Sequence, residues 1–435
     1  MSADPSLSVQ AQIRPGGEVD LYYMNEKTAM KQAFPVVMNT RFTQDLTNKT
    51  SGSSTFIVPP QNGINQVVCV LGWNAGTWTT AGALGCALPR GWGYSAIKQV
   101  SVRYGGSSQY FFTGAQLLQR SLRQCPNGTA RDALLALGGN ATLTQADLVS
   151  NNQLAYVFLN LPHTATTSDG VTTTVLPSDL LNQQIVVTVE LNPVNSWISN
   201  TGGGNGVIPS AFDVGYFQVQ QSMLDDQQDS LARRVDMNTH FYALPLPSFD
   251  QQQLVIPASV NNSSVQPYVL TGFRNGSLRS IQLWLTNNVD NPSGSTGVRN
   301  PFAWYIPDSV QLIYAGTIYA NYQNGSSALW NLLNGRQQPA ANNVYQTVST
   351  NTYSAANSLT AWVDLPFAQP HVQESTTNVL VHGIEVRNGI INLQLALPNA
   401  VTSQAAYSSA SWSLNVVYVY NAALMFSKST CDYVF

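Results

Sequence analysis

The sequence predicts an all-β chain made of two tandem copies of one eight-stranded domain, and three observations carry that reading. Apolar and polar residues alternate in many stretches, as Val100, Val102 and Tyr104 do against Ser101 and Arg103, the period-two pattern of a strand with one buried face. These stretches are short and bounded by Gly, Pro, Asn and Ser, while helical periodicity is scarce. The second half of the chain also repeats motifs of the first half in the same order.

MNTRF (Met38–Phe42) returns as MNTHF (Met237–Phe241), and FIVP (Phe56–Pro59) as LVIP (Leu254–Pro257). The stretch WGYSAIKQVSVRYGGSSQYFFTGAQLL (Trp92–Leu118) reads as strand, turn, strand and helix start, with Gly105 and Gly106 supplying the positive φ angles of a two-residue hairpin turn. Laying Tyr314-Ala315-Gly316-Thr317 on Tyr104-Gly105-Gly106-Ser107 places Val310 on Val100, Leu312 on Val102 and Trp304 on Tyr94. YVFLNLP, ending at Pro162, is echoed by AWVDLP, ending at Pro366. QQIVVTVEL (Gln183–Leu191) answers GIINLQLAL (Gly389–Leu397), and FDVGYFQVQQSML (Phe212–Leu224) answers WSLNVVYVYNAALM (Trp412–Met425). Collinear matches of this kind are the mark of a duplicated domain.

Taken in order, residues 1–36 form an arm outside both repeats, in which LYYMNEKTAMKQAF is suited to a short helix. The first domain, 37–228, has predicted strands at Val37–Phe42, Thr55–Val58, Gln66–Leu71, Ile97–Tyr104, Gln109–Phe112, Leu154–Leu161, Gln184–Leu191 and Val214–Val219, with a helix at Ala115–Arg123. Eight strands with long, uneven connections suit a jelly roll better than an up-and-down barrel, whose hairpins are short and regular. The charged stretch LDDQQDSLARRVD (Leu224–Asp236) marks the joint, and the second domain with its tail occupies 229–435.

Charged residues are 9% of the chain, against about 25% in an average soluble protein. The surface is therefore largely amide and hydroxyl, filled either by polar loops or by permanent interfaces, which exclude charge from their centres. A net charge of −3 gives no electrostatic footprint for DNA or RNA. No segment approaches the ~20 apolar residues that span a bilayer, and MSADPSLSVQ lacks the features of a secretory signal. Cys69, Cys86, Cys125 and Cys431 show neither zinc-ligand spacing nor disulfide density, and read as packed or incidental thiols. The sequons at Asn48, Asn127, Asn140, Asn261, Asn262, Asn275 and Asn324 read as a by-product of Asn- and Ser-rich loops.

Catalytic patterns are scarce. His163, His240, His371 and His382 form no metal-ligand spacing, and Gly202–Gly206 lacks the Lys-Ser/Thr of a phosphate loop. A glycosidase needs only two facing carboxylates, for which Glu190, Asp308, Asp364 and Glu385 are the candidates. No catalytic residue, cofactor or metal is expected.

The stretch LPRGWGYSAIKQVSVRYGGSSQYFFTGAQLLQ (Leu88–Gln119), LPSDLLNQQIVVTVEL (Leu176–Leu191) and the duplication together resemble double jelly-roll major capsid proteins of the adenovirus, tectivirus and virophage lineage. The nearest likeness is to adintovirus and polinton-like virus capsid proteins. That resemblance implies a structural protein of the virion whose homotrimers form pseudo-hexagonal capsomers and tile an icosahedral shell. It implies neighbouring capsomers, a penton and minor capsid proteins as partners, synthesis in the host cytoplasm, and assembly there or in the nucleus. Tyr22 and Tyr23 in the arm, with Tyr433 and Phe435 in the tail, are the candidate inter-subunit anchors, since neither segment has a counterpart in the other repeat. A carbohydrate-binding or host-attachment protein is the competing reading.

Overall fold

The computed structural model describes residues 38–43, 49–58, 63–105, 110–125, 128–161, 184–201, 208–222, 241–258, 265–293, 297–322, 341–349, 352–360, 362–367, 383–387, 390–403, 407–427 and 430–434. The strands of the first half are β1 (Met38–Thr43), β2 (Gly52–Val58), β3 (Gly63–Trp73), β4 (Cys86–Ala87), β5 (Ile97–Tyr104), β6 (Tyr110–Thr113), β7 (Gln153–Phe158), β8 (Ile185–Leu191), β9 (Ser199–Asn200) and β10 (Val214–Ser222). The second half contributes β11 (Phe241–Ile256), β12 (Gln266–Leu270), β13 (Gly276–Asn287), β14 (Ser309–Tyr314), β15 (Thr317–Tyr322), β16 (Ala341–Ser349), β17 (Thr352–Thr360), β18 (Val363–Pro366), β19 (Ile384–Val386), β20 (Ile391–Ala396), β21 (Trp412–Ser427) and β22 (Thr430–Val434).

Each half is a sandwich of two antiparallel sheets. The first half has the orders β1-β10-β3-β7 and β2-β8-β5-β6; the second has β11-β21-β13-β18 and β12-β20-β14-β15. Position for position the orders match, and each is that of a jelly roll. The pattern follows from alternation along each strand. In β8 the residues Ile185, Val187, Val189 and Leu191 are buried while Val186, Thr188 and Glu190 are partly exposed, so only one register places the apolar set inside. Phe56 of β2 stacks on Phe217 of β10 with centroids 4.7 Å apart, joining the two sheets across the first core.

All eight strands expected in the first half are present, within a few residues. MNTRF forms β1 at a sheet edge beside β10. Phe241, the last residue of MNTHF, opens β11, the matching edge beside β21, while residues 237–240 lie outside the described residues. Two details differ from the sequence reading. FIVP and LVIP are not equivalent: Phe56 lies in β2 against β8, whereas Leu254–Ile256 lies in β11 against β21, and β12 takes the place of β2. β11 runs on because its whole length pairs with β21, from Phe241 opposite Ser427 to Ile256 opposite Trp412. The turn expected at Gly105-Gly106 falls on residues 106–109, which lie outside the described residues. Its counterpart is a two-residue turn: Tyr314 pairs with Thr317, with φ of 49° at Ala315 and 79° at Gly316. Finally, Trp92–Ala96, just before the strand expected at Ile97–Tyr104, is a short buried helix that Gly91 enters at φ 75°.

The connection between β6 and β7 holds helices Gly114–Gln124, Gly128–Leu137 and Gln145–Ser150, whereas the connection between β15 and β18 holds the β16–β17 hairpin, which lies beside the second of those helices. Helix Gly114–Gln124 starts at a capping box: the Gln116 amide N–H donates to Thr113 Oγ1 at 3.3 Å, and the Thr113 amide N–H donates to Gln116 Oε1 at 2.9 Å. The charged stretch Leu224–Asp236 and the loop Gly202–Gly206 lie outside the described residues, as does the whole of the arm expected at 1–36.

Burial pushes the Cys69 thiol and the Tyr94 phenol each up to about 12. A pKa higher in the folded than in the unfolded chain gives stability that is complete below the unfolded value and is lost as pH rises towards the folded one. Unfolded thiols and phenols titrate near ~8.5 and ~10. These groups are therefore expected to contribute a loss of stability in urea titrations from roughly pH 9 to 12. Native Cys69 is expected to stay unreactive towards a thiol reagent at pH 8; rapid labelling there would contradict its burial.

Candidate functional site at the joint between the barrels

A sheet that faces water on one side alternates buried and exposed residues. The sheet containing β21 and β13 does not. In β21, Leu414, Val416, Tyr418 and Tyr420 point into the second core, yet Asn415, Val417 and Val419 on the opposite face are buried as well. In β13, Ile281, Leu283 and Leu285 point inward, and Ser280, Gln282 and Trp284 on the other face are buried too. Val417, Val419, Trp284, Trp304 and Trp362 belong to the core cluster of the first barrel, so one apolar core runs through the joint.

The aromatic residues set its geometry. Trp304 stacks on Trp284 at 4.7 Å and meets Trp362 edge-on at 6.2 Å, with Phe302 edge-on at 6.0 Å. Phe302 lies near Gly91 and Leu135 of the first barrel; a Cβ on Gly91 would sit 3.6 Å from its ring. Beyond them, in the first barrel, Trp92 stacks on Trp197 at 5.6 Å with 4° between planes, and on Trp73 at 5.5 Å. Gly139, at φ 123°, leaves room for Trp92, since a Cβ there would be 2.4 Å from the indole.

Polar contacts fix the register. Asn200 and Gly297 exchange main-chain hydrogen bonds, Ser199 Oγ donates to the Arg299 carbonyl at 3.0 Å, and Arg299 Nη1 donates to the Ile198 carbonyl at 2.8 Å. On the other side Phe112 meets Phe249 edge-on at 5.7 Å, and the Arg120 guanidinium lies over both rings, 5.0 and 5.1 Å from their centroids. Arg120 Nη1 also donates to the Asn160 carbonyl at 2.6 Å, and Asn160, buried at φ 43°, donates its side-chain amide to Ser121 Oγ. The Asn of YVFLNLP thus ties β7 to the helix that carries Arg120.

The four candidate carboxylates do not converge. Glu190 on β8 pairs with Lys98 at 2.6 Å, Asp308 accepts from the Asn399 amide at 2.8 Å, and Glu385 pairs with Arg387. Asp364 lies opposite Gln282 and Glu385 opposite Ser277, five residues away on β13. At ~3.4 Å per residue that separates them by roughly 17 Å, beyond the ~5–9.5 Å of glycosidase pairs. No cluster of three or more His, Cys, Asp or Glu suited to a metal occurs among the described residues, and all four histidines lie outside them.

Of the candidate anchors, Tyr22, Tyr23 and Phe435 lie outside the described residues. The backbone of Tyr433 is in β22, opposite Leu424 of β21, so this part of the tail adds a strand to the second barrel. Sequence reading missed the joint, although NVVYVY (Asn415–Tyr420) carries its signal: a run without alternation marks a strand buried on both faces.

Replacing Arg120 by Lys is expected to lower stability by ~1 kcal/mol, because a compact ammonium loses the planar stacking over two rings, and by Ala somewhat more. The measurement is the urea midpoint of the purified variants. A Lys variant as stable as the parent would show that the guanidinium contributes only its charge.

No family model and no curated protein matches the chain. Solved structures do. PBCV-1 VP54, as fitted into a reconstruction of the virophage Sputnik, is 12% identical over 93% of this chain and 98% of its own, with a TM-score of 0.58. The Faustovirus major capsid protein is 9% identical over 91% and 92%, with a TM-score of 0.55. The mavirus major capsid protein is 11% identical over 92% and 90%, with a TM-score of 0.51. Nearly the whole of each chain takes part, so the likeness spans both barrels and the joint, and the protein has the double jelly-roll fold of these viral major capsid proteins.

Proposed function

We propose that the chain is a structural major capsid protein whose homotrimers form pseudo-hexagonal capsomers of an icosahedral virion. The observation that carries this reading is the pair of topologically equivalent barrels fused through one shared core. Two near-equivalent barrels per chain give a trimer six similar edges, and heterologous contacts about a threefold axis close into a ring. The function is then geometric, and the reading assigns the chain no catalytic residue. Neighbouring capsomers, a penton and minor capsid proteins are the partners, the virion is the location, and the host cytoplasm is the site of synthesis.

Energetics favour a durable trimer. Obligate interfaces bury about 2,000–5,000 Å², which at roughly 25 cal/mol per Å² of apolar area outweighs an association cost of about 4–15 kcal/mol. With 9% charged residues, little of that stabilisation is of the kind that salt screens. Light scattering from nanomolar to micromolar protein, in low and high salt, is expected to report a trimer throughout. Hexagonal arrays on concentration would support the capsid reading, whereas a monomer under all conditions that binds on a glycan array would favour the attachment reading.

Residues 1–30 are assigned to contacts between subunits. Their deletion is expected to leave folded trimers that fail to assemble further, checked by circular dichroism, light scattering and electron microscopy. Failure of the truncated chain to fold would place the arm in the core instead.

A further inference from the structure

Asp290 is fully buried in the connection between β13 and β14, and no Lys or Arg pairs with it among the described residues. Three neutral donors surround its carboxylate. Asn287 Nδ2, at the end of β13, donates to Oδ2 at 2.6 Å, and the Tyr305 hydroxyl donates to the same oxygen at 2.9 Å. The Tyr407 hydroxyl, in the approach to β21, donates to Oδ1 at 3.2 Å. Burial, and after it the Asp290 charge, holds the Tyr305 phenol well above its usual range, so Tyr305 stays a donor. Tyr305 is itself fixed: its main chain exchanges hydrogen bonds with Leu285 of β13, and its ring meets Trp412 edge-on at 5.4 Å. A carboxylate only accepts, and a buried one is costly unless its oxygens are filled, so Asp290 is stable there only while these donors are in place.

The main chain of Asp290 holds the loop that reaches the first barrel. Its amide N–H donates to Asn287 Oδ1 at 2.9 Å, and its carbonyl accepts from the Asn300 amide at 2.8 Å. Asn291 Nδ2 donates to the Asn300 carbonyl at 3.1 Å, and Pro292 packs on Gly297, where a Cβ would lie 2.5 Å from the proline ring. Arg299, next to Asn300, is the residue that Ser199 of the first barrel grips: Ser199 Oγ accepts from the Arg299 amide at 2.8 Å and donates to the Arg299 carbonyl. All three side-chain donors to Asp290 come from the second barrel, and Tyr407 lies 117 residues further along the chain. We propose that Asp290 is a conformational clasp: it gathers three segments of the second barrel and so fixes the loop that docks on residues 198–200, and the joint fastens there only once the second barrel is complete. The clasp works within one chain, whatever oligomer that chain forms.

Hydrogen exchange of the full chain, followed by mass spectrometry, tests the clasp. Asp290→Asn keeps the shape but turns an amide donor towards one of the three donors. It is expected to speed exchange of the Asn200 and Gly297 amides, which bond each other's carbonyls across the joint, by about tenfold or more, as losing a hydrogen bond to a charged group implies. Amides in β8 and β20, one strand of each barrel, are expected to keep the parent's rates. Tyr407→Phe removes one donor and keeps the charge; it is expected to act in the same direction and less, and it carries the test if the Asn variant does not fold. Asp308→Asn, whose carboxylate accepts from the Asn399 amide on the same connection, is expected to leave the joint amides unchanged. Ser199→Ala gives a second reading: its effect on the urea midpoint is expected to be smaller in the Asp290→Asn chain than in the parent. Additive losses, exchange that rises equally in β8 and β20, equal release by Asp308→Asn, or joint amides as slow as the parent's in both Asp290→Asn and Tyr407→Phe overturn the clasp.

Discussion

Burial of the outer face of β11-β21-β13-β18 against the first barrel is the constraint on which the molecule depends. Without it each half would be a separate sandwich on a linker, free to move. With it, Trp284, Trp304 and Trp362 are core residues of the other barrel, and the relative placement of the halves is set by close packing rather than by chain connectivity. The capsomer proposed above needs that rigidity, since an error of orientation at the joint is repeated at every copy.

The composition follows from the same constraint. Faces that end up against another barrel cannot carry unpaired charge without a large desolvation cost, whereas amides and hydroxyls are tolerated when hydrogen-bonded. Gln282, Ser280 and Asn415 sit on the buried face at positions where a solvent-facing sheet would carry Lys or Glu. Arg120 shows how a charge is accommodated there: it faces two aromatic rings and a carbonyl oxygen rather than empty apolar space.

Much of this was legible in the sequence. Alternation along strands such as β5 and β8 located the first barrel, and the ordered motifs located its copy. Short-range patterns failed where long-range pairing decided the outcome. LVIP looks like FIVP because both are apolar runs ending in proline, but β11 keeps pairing with β21 until Ile256, so its last residues stay in a sheet that β2 never joins. The helix at Trp92–Ala96 was hidden because Trp92 and Tyr94 alternate as strand residues do, while the packing of Trp92 on Trp73 and Trp197 overrides that local preference. The joint was least visible, since it consists of side chains brought together from both halves.

The central proposal is that two barrels, locked by one core, form one third of a six-barrel ring that threefold symmetry completes. Cryo-electron microscopy of the recombinant oligomer, reconstructed without imposed symmetry to a resolution that separates sheets, tests it directly. The account requires a closed ring of six barrel densities around a threefold axis, with the barrels of each chain joined through Trp284, Trp304 and Trp362. A particle whose barrels within a chain take variable orientations, or whose subunits meet in any arrangement other than a three-membered ring, would contradict it.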